Sequence, residues 1–568
     1  MSKILTTKLL IVWILISSIA NAQNHQPEYL YANFDKHFYI AGEDLWYSVY
    51  ILNPSDKQSG IVHTELLAAD GKTVIKQMLK FDGYQAIGDI ALPPSLEEGY
   101  YQFRAYTHWN LNFSPQVIFS KDIPIFKADH KFPQLAPMTI PDYVPARSEV
   151  LNFSINGERF QPRASIQLSF EAPTSGHLSV SIIDMSYLNK EENTNIINYQ
   201  AWINNQTPPQ FINSEQFIEA EQQHQRTLML RKPETGDYVN SNFIVGFIKQ
   251  TQQKLIRRSK NGIVTLDFDD FYDSTIVQIF DAHPHQKAYI PLASIIDEQH
   301  PVDPPRLRRN KPVMTPEIQR YIRNYQKRFQ LYQLFGTKAN MRAEYPQPIA
   351  PKYTPTSIYK IDDFISLESM EAFIKQATPS LRVKISGKKD QKQKSFALFV
   401  PGKDMSRKRV INPPLLLVNN YFTYNAEAVF NMEWENIKQI DVFNTAATLP
   451  PQFGPIGDFG VIAFHTRDGQ TPEEILKSTN NLKVPGFYLA RKFETSGYQK
   501  DDIESSKIPN FRPMMYWNAH IDLTENGSTS LSFPAADQAG TYLIRIEGLL
   551  DDGSPVYTER VFEIVMER

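Results

Sequence analysis

The sequence predicts a mainly β protein built from several domains. Its 568 residues predict three to five domains, because one domain usually takes roughly 100–200 residues. The chain holds 28 tyrosines, 35 phenylalanines and 39 prolines but only 24 glycines, a composition that suits many strands joined by stiff connections. Short apolar runs separated by turn residues recur along most of the chain, as in residues 44–52 and 61–68. We therefore expect a series of antiparallel β-sandwiches.

Composition also excludes several classes of function. The chain has no cysteine, so it can form no disulfide, thiolate zinc site, cysteine nucleophile or internal thioester. Its 59 basic and 62 acidic side chains nearly balance, which argues against a nucleic-acid binder, since such proteins need a basic surface.

The first 22 residues have the pattern of a secretory signal peptide. Lys3 and Lys8 precede an apolar run, and Ala20 and Ala22 supply the small residues that signal peptidase requires. We expect cleavage after Ala22 and export of the mature chain. No later apolar run is long enough to span a bilayer, so we expect membrane association only through partners.

Proline-rich stretches divide the mature chain into domains. Residues 214–231 are polar and predict a helix between two sets of strands. Residues 238–290 either complete the second sandwich or form a third. The predicted domains are a first sandwich (23–130), a second sandwich region with a helical insertion (146–296), a proline-rich linker with a bracing helix (297–354), a small α/β domain (355–480) and a C-terminal Ig-like sandwich (481–568).

The linker contains the clearest helix signal of the chain. Thr315 can cap a helix whose first residue is Pro316 and which stops at Gly336. One face is apolar and the other basic, which predicts either a bracing helix with a solvated face or a contact with an anionic lipid or partner surface. The apolar residues are Ile318, Tyr321, Ile322, Tyr325, Phe329 and Tyr332, and the basic residues are Arg320, Arg323, Lys327 and Arg328.

Residues 27–127 resemble a macroglobulin-type domain, the MG2 module. That module opens with an extended strand, a DKP-like pair, a tyrosine, a glycine-acid turn and an aromatic strand. The matching residues here are Asp35, Lys36, Tyr39, Gly42, Glu43 and Trp46, with His37 where proline is common. The strand-like sequence of residues 177–184 is similar to part of a second module of this kind, so the resemblance implies serial MG-like sandwiches.

Residues 355–470 resemble the plug domain of TonB-dependent outer-membrane receptors. Ile437, Ile440 and Val442 match its isoleucine-rich strand, and residues 460–466 match its closing strand, whereas Asn419 and Asn420 replace the usual Asp-Gly turn. Only 98 residues follow Gln470, too few for a receptor barrel. The resemblance therefore implies a Gram-negative envelope protein that has a plug-like domain without a barrel.

Candidate catalytic and metal sites are weak in the sequence. His283 and His285 lack a third spaced ligand, and the acidic stretch around Asp267 lacks the glycine and closing glutamate of a calcium loop. No G-x-S-x-G motif, phosphate loop or dinucleotide fingerprint occurs. We expect no enzymatic activity, no cofactor and no metal.

The sequence therefore favours a non-enzymatic protein of the periplasm or outer membrane, acting as a structural and docking component of an outer-membrane assembly for transport, secretion or biogenesis. The expected partner is an outer-membrane barrel protein or a multi-subunit envelope complex, with no nucleic acid. One alternative is a carbohydrate- or peptidoglycan-binding protein, which would need Trp46, Trp109 and Trp517 exposed along a groove. Another is a non-covalent, macroglobulin-like protein that interacts with proteases.

The stretch from Thr445 to Phe459 is the predicted docking surface. Pro450, Pro451 and Pro455 stiffen it, which lowers the ordering cost of binding. The same apolar residues could instead close the core of their own domain. The predicted anchors are Leu449, Phe453, Ile456 and Phe459.

Overall fold

A computed structural model shows the mainly β architecture that the sequence predicts. It describes residues 26–53, 57–132, 144–147, 149–188, 194–212, 218–251, 253–281, 292–296, 307–308, 310–335, 353–364, 367–387, 393–401, 407–409, 413–445, 449–493, 510–524 and 527–566. The predicted signal peptide and the pair His283 and His285 lie outside these residues.

The strands are numbered in chain order. Those before residue 190 are β1 (Leu30–Phe34), β2 (Tyr39–Ile40), β3 (Asp44–Ile51), β4 (Ile61–Leu67), β5 (Thr73–Lys80), β6 (Gln85–Ala91), β7 (Gly99–Tyr106), β8 (Phe119–Phe126), β9 (Asn152–Ile155), β10 (Arg159–Phe160), β11 (Ser165–Glu171) and β12 (Gly176–Asp184). The next are β13 (Gln225–Arg231), β14 (Ser241–Ile248), β15 (Lys254–Ser259), β16 (Ile263–Asp267), β17 (Ser274–Asp281) and β18 (Leu292–Ile295).

The remaining strands are β19 (Ser357–Lys360), β20 (Leu381–Ser386), β21 (Gln393–Pro401), β22 (Arg407–Arg409), β23 (Leu415–Val418), β24 (Tyr421–Thr423), β25 (Ile437–Phe443), β26 (Val461–Thr466), β27 (Asn480–Pro485), β28 (Met514–Leu523), β29 (Ser528–Pro534), β30 (Gly540–Leu550) and β31 (Pro555–Ile564). The described α-helices are α1 (Ile196–Asn204), α2 (Pro316–Phe335), α3 (Met370–Ala377), α4 (Ala426–Phe430), α5 (Leu449–Phe453) and α6 (Glu473–Lys477). None of these helices combines the length and the apolar character needed to cross a bilayer.

The chain forms two compact units. The first contains the described parts of Met1–Gln222, His300–Glu344 and Tyr488–Arg568, and the second contains those of Gln223–Gln299 and Tyr345–Phe487. The second unit is therefore inserted into the first at two places along the chain.

The first unit begins with a sandwich formed by β1 to β8. Its two sheets have the strand orders β1-β3-β6 and β2-β8-β7-β4-β5. Large side chains from both sheets, such as Tyr47 and Phe103, form one buried core. The predicted turn before β3 is present, and Gly42 adopts a φ of 97°, a value that favours glycine.

A second sandwich in the first unit joins strands from distant parts of the chain. Its sheets have the orders β10-β31-β30-β12-β28 and β29-β11-β9. The sequence analysis divides these strands between the domains 146–296 and 481–568, but in the structure β12 pairs with both β28 and β30. Each chain segment supplies only part of each sheet, so neither part has a complete core of its own.

The second unit contains a smaller sandwich and an α/β region. The sandwich sheets have the orders β16-β13-β18 and β15-β14-β17-β27, so its last strand comes from beyond the α/β region. The α/β region has a sheet of order β19-β25-β26-β23-β24, which is mixed because β23 runs parallel to β26. A further sheet has the order β20-β21-β22, and α3 packs through Phe373 and Ile374 into the core that these sheets share.

The helix predicted over residues 214–231 is wrong in its described second half, where β13 occupies Gln225–Arg231. Leu228 and Leu230 point into the core of the small sandwich, while Met229 is half-buried and Arg231 is exposed on the other face. The apolar Met229 between Leu228 and Leu230 weakens this alternation in the sequence, and pairing with β16 and β18 stabilises the strand.

The predicted bracing helix is α2, and its start is confirmed. The Ile318 N–H donates to Thr315 Oγ1 at 3.4 Å, and Pro316 is its first residue. Ile318, Tyr321 and Ile322 are buried among residues of the first unit, while Phe329 is exposed. The basic face differs from the expectation of full solvation. Arg323 and Lys327 are exposed, but Arg328 lies 3.7 Å from the buried Glu43.

Candidate functional site

The four predicted docking anchors do not form an exposed surface. Phe453, on α5, is only 2% exposed, and Leu449 and Ile456 are buried in the same apolar cluster. Phe459 is half-buried. This burial fits the alternative interpretation, in which these residues close the core of their own domain. The docking assignment for the three buried residues is wrong. Proline restricts the backbone equally well for internal packing and for binding, so the sequence did not separate the two roles.

The surroundings of Phe453 explain its burial. Its ring stacks on Tyr353 with centroids 5.1 Å apart and meets Phe443 edge to face at 5.0 Å. The Lys254 ammonium lies 4.6 Å from the centroid of the Phe453 ring. Desolvation lowers the pKa of Lys254 to about 8. These contacts fix Phe453 in place and leave no face for a partner.

The residues proposed for sugar binding are also inside the protein. Trp46, Trp109 and Trp517 are all buried. A sugar-binding groove needs aromatic faces open to solvent, so these three tryptophans do not provide one. The role that the structure supports for them is packing.

The Asp267 carboxylate at the end of β16 pairs with Arg257 at 3.2 Å, as expected for a strand residue rather than a calcium loop.

The structure instead exposes an apolar face on the sheet β16-β13-β18 of the second unit. Tyr238, Ile263 and Leu292 are 47%, 46% and 58% exposed. Met229 lies directly opposite Ile263, and Arg231 lies opposite Leu292, so all four strand residues share one face. We call this set of five residues the β13 face.

Local contacts hold the β13 face in one conformation. The Arg231 guanidinium lies 4.7 Å from the centroid of the Tyr238 ring and donates to its hydroxyl at 3.3 Å. Gly262 has a φ of 79°, and a Cβ there would lie 2.8 Å from Tyr238 Cδ1 and 3.0 Å from Met229 Sδ. Glycine is therefore needed at this position. The alternating pattern of β13 was the sequence signal for this face, and the helical assignment concealed it.

A second functional candidate is the buried ionic cluster that the MG2-like residues form. Lys36 Nζ lies 3.2 Å from Glu43 Oε2 and donates to the Tyr321 hydroxyl at 3.1 Å. Burial disfavours the charged ammonium, yet Glu43, Tyr321 and Asp35 together raise the pKa of Lys36 above its ordinary value. Tyr321 also donates to Glu43 Oε1 at 2.8 Å, so the cluster attaches α2 to the first sandwich. These residues are thus structural.

The Asp35 carboxyl should make stability depend on pH. Desolvation raises the pKa of Asp35 from 3.8 to about 6, although Lys36 and hydrogen bonds from Tyr39 and the Trp46 N–H oppose the shift. Because the folded pKa exceeds the unfolded one, this contribution to stability is complete below pH 4 and is lost as the pH rises through 6.

We expect the unfolding free energy of the wild type, relative to Asp35→Asn, to fall by about 2–3 kcal/mol between pH 4 and 7. Urea unfolding of both proteins at four pH values measures this difference. Parallel pH profiles for the two proteins would contradict it.

Comparisons with known proteins give only remote likenesses. No known protein family matches the chain, and no curated protein is significantly similar to it. Among solved structures, the native conformation of Escherichia coli alpha-2-macroglobulin is 9% identical, with a TM-score of 0.24, over 96% of this chain and 40% of that one. Salmonella alpha-2-macroglobulin reacted with methylamine is 9% identical, with a TM-score of 0.24, over 95% of this chain and 40% of that one.

A putative membrane-anchored protein from Corynebacterium diphtheriae is 10% identical, with a TM-score of 0.14, over 50% of this chain and 62% of that one. The chain thus spans less than half the length of the two macroglobulins. Likenesses of this size establish no shared activity.

Proposed function

We propose that the protein is a non-enzymatic, exported component of the cell envelope that docks a protein partner through the β13 face. The exposed Tyr238, Ile263 and Leu292 carry this proposal, because contiguous apolar residues on a folded surface are typical of interaction sites. The partner is an outer-membrane barrel protein or a subunit of an envelope complex.

The chemistry of the face suits a protein partner. Tyrosine, methionine and arginine are enriched in protein interfaces, and all three occur here. Leu228 and Leu230, on the opposite face of β13, are buried in the core of the small sandwich and hold the strand in place. Because Tyr238 is already fixed by Arg231 and Gly262, it loses little conformational freedom on binding.

Replacement of Ile263 by aspartate should abolish docking without unfolding the protein. The side chain is exposed, so we expect the unfolding free energy to change by less than about 0.5 kcal/mol. Burying a carboxylate in a desolvated interface costs binding free energy. The partners that co-purify with the wild type from cross-linked envelopes should therefore be lost.

The matched control for this variant is Ile358→Asp, because Ile358 is 54% exposed on β19, in a different sheet of the same unit. This variant should retain the partners. If Ile263→Asp keeps the same partners as the wild type, the β13 face is not the docking surface.

Export is tested separately by fractionation of the cells and sequencing of the N-terminus. The proposal requires envelope material that begins at Gln23, and intact Met1 in that fraction would contradict it. If a protease is the partner that Ile263→Asp loses, the macroglobulin-like alternative replaces the assembly role.

A further inference from the structure

One tryptophan of the first unit is open to solvent. Trp202, on α1, is 47% exposed, whereas Trp46, Trp109 and Trp517 are buried. The Trp202 ring stacks on the ring of Tyr199, with centroids 5.4 Å apart and an interplanar angle of 30°. Because Tyr199 covers one side of the indole, the exposed area lies mainly on the other side. An aromatic face is therefore available to a ligand.

The exposed indole is held in place by the core of the first sandwich. The Tyr199 ring lies 5.4 Å from the ring of Tyr31 and 5.4 Å from that of Phe119, measured between centroids. Ile203, the residue after Trp202, is buried in the same core. A ring that is fixed before binding loses little conformational freedom when a ligand stacks on it.

Carboxamide side chains flank the indole. Asn198 comes four residues before Trp202 and Asn205 three residues after it, so both lie on the Trp202 side of α1. Asn198, Asn205 and Gln206 are exposed. Asn205 Nδ2 donates to the Ala201 carbonyl at 2.9 Å, which fixes this amide beside the helix. A carboxamide both donates and accepts hydrogen bonds, as a hydroxyl group does.

The segment around Trp202 carries no charge. Residues 194–212 contain no acidic residue, basic residue or histidine, although 21% of the whole chain is charged. An anionic lipid surface or a nucleic acid would need basic side chains here, and a charged protein surface would need complementary ones. A neutral ligand rich in hydroxyl groups fits this composition. The segment has seven carboxamides, namely Asn195, Asn198, Gln200, Asn204, Asn205, Gln206 and Gln210.

We propose that Trp202, Asn198 and Asn205 bind one pyranose ring of a neutral, β-1,4-linked saccharide. When the substituents of such a ring are equatorial, its axial C–H bonds form a flat apolar face with a small positive charge. This face is complementary to the negative face of the indole. The hydroxyl groups around the ring edge then reach the carboxamides of Asn198 and Asn205.

This site is separate from the proposed protein-docking surface. It lies in the first unit and shares no residue with the β13 face of the second unit. It also differs from the sugar site that the sequence favours, because Trp46, Trp109 and Trp517 take no part in it. The chain would thus contact a glycan through one unit and a protein partner through the other.

The test titrates the full mature chain with chitohexaose and with cellohexaose, two neutral β-1,4-linked hexasaccharides, in a calorimeter. We expect saturable binding with a dissociation constant of about 1 mM or less. Trp202→Ala should weaken binding by about 10-fold or more, and Asn198→Ala by about threefold. The matched control is Phe329→Ala, because Phe329 is a 53% exposed aromatic residue on α2 of the same unit. This control should bind as the wild type does.

Fluorine NMR of the chain labelled with 5-fluorotryptophan locates the site. The hexasaccharide that binds should shift the Trp202 resonance, which Trp202→Phe identifies, and leave the resonances of the buried Trp46, Trp109 and Trp517 in place. Circular dichroism checks that each variant is folded.

Three results would overturn the proposal. They are no saturable binding of either hexasaccharide up to about 10 mM, undiminished binding by Trp202→Ala, and loss of binding in Phe329→Ala. If the wild type binds neither sugar and Trp202→Ala loses co-purifying proteins instead, this face of α1 contacts a protein and the saccharide site is wrong. The effect of Ile263→Asp on partners tests the β13 face independently of all these results.

Discussion

Replacing Phe453 by aspartate should lower the free energy of unfolding of the second unit by about 3–5 kcal/mol. The substitution removes an aromatic ring that stacks on Tyr353 and meets Phe443 edge to face, and it puts a carboxylate in an apolar cluster. Thermal and urea unfolding of the purified protein measure the loss.

Ile358→Asp is the control for this prediction, because it introduces the same carboxylate at an exposed position of the same unit. It should change stability by less than about 0.5 kcal/mol. An unchanged melting temperature for Phe453→Asp would show that this ring is not part of the core and would restore the docking assignment.

Replacing Lys36 by methionine should destabilise the first unit by about 3–5 kcal/mol. Methionine preserves most of the side-chain volume but removes the ammonium, which leaves the Glu43 and Asp35 carboxylates buried without their closest cation. The unfolding free energy from urea titration at pH 7 measures this effect.

Two further variants show whether the cause is the loss of charge compensation. Adding Glu43→Gln to Lys36→Met should recover part of the lost stability, because it removes one of the two carboxylates that have lost the Lys36 ammonium. Lys72→Met breaks an ion pair with Asp70 at the exposed surface, where both side chains are largely solvated, and should have almost no effect. Equal losses for Lys36→Met and Lys72→Met would contradict the prediction.

Local patterns in the sequence predicted the elements whose causes are local. The mainly β class follows from apolar runs of strand length, and the start of α2 follows from Thr315 and Pro316. These features depend on residues within one or two turns of each other, so a reading of neighbouring residues is sufficient.

The rest depends on contacts between distant residues. The pairing of β12 with β28 joins residues such as Ser181 and Trp517, and no local pattern specifies that register. The apolar residues of α5 suit a core and an interface equally well, and only their burial distinguishes the two.

The strand arrangement of the second sandwich in the first unit has a consequence for how the chain folds during its synthesis. Strand β12 is an inner strand of its sheet, and both of its neighbours, β28 and β30, come from the last 60 residues of the chain. Until those residues emerge, β12 has two open edges, and the sheet that opposes it consists only of β9 and β11. The second unit is complete by Phe487, so it can fold while the first unit still waits for its C-terminus. A chain that ends before Met514 would therefore keep both edges of β12 and one edge of β11 open to pairing with other chains.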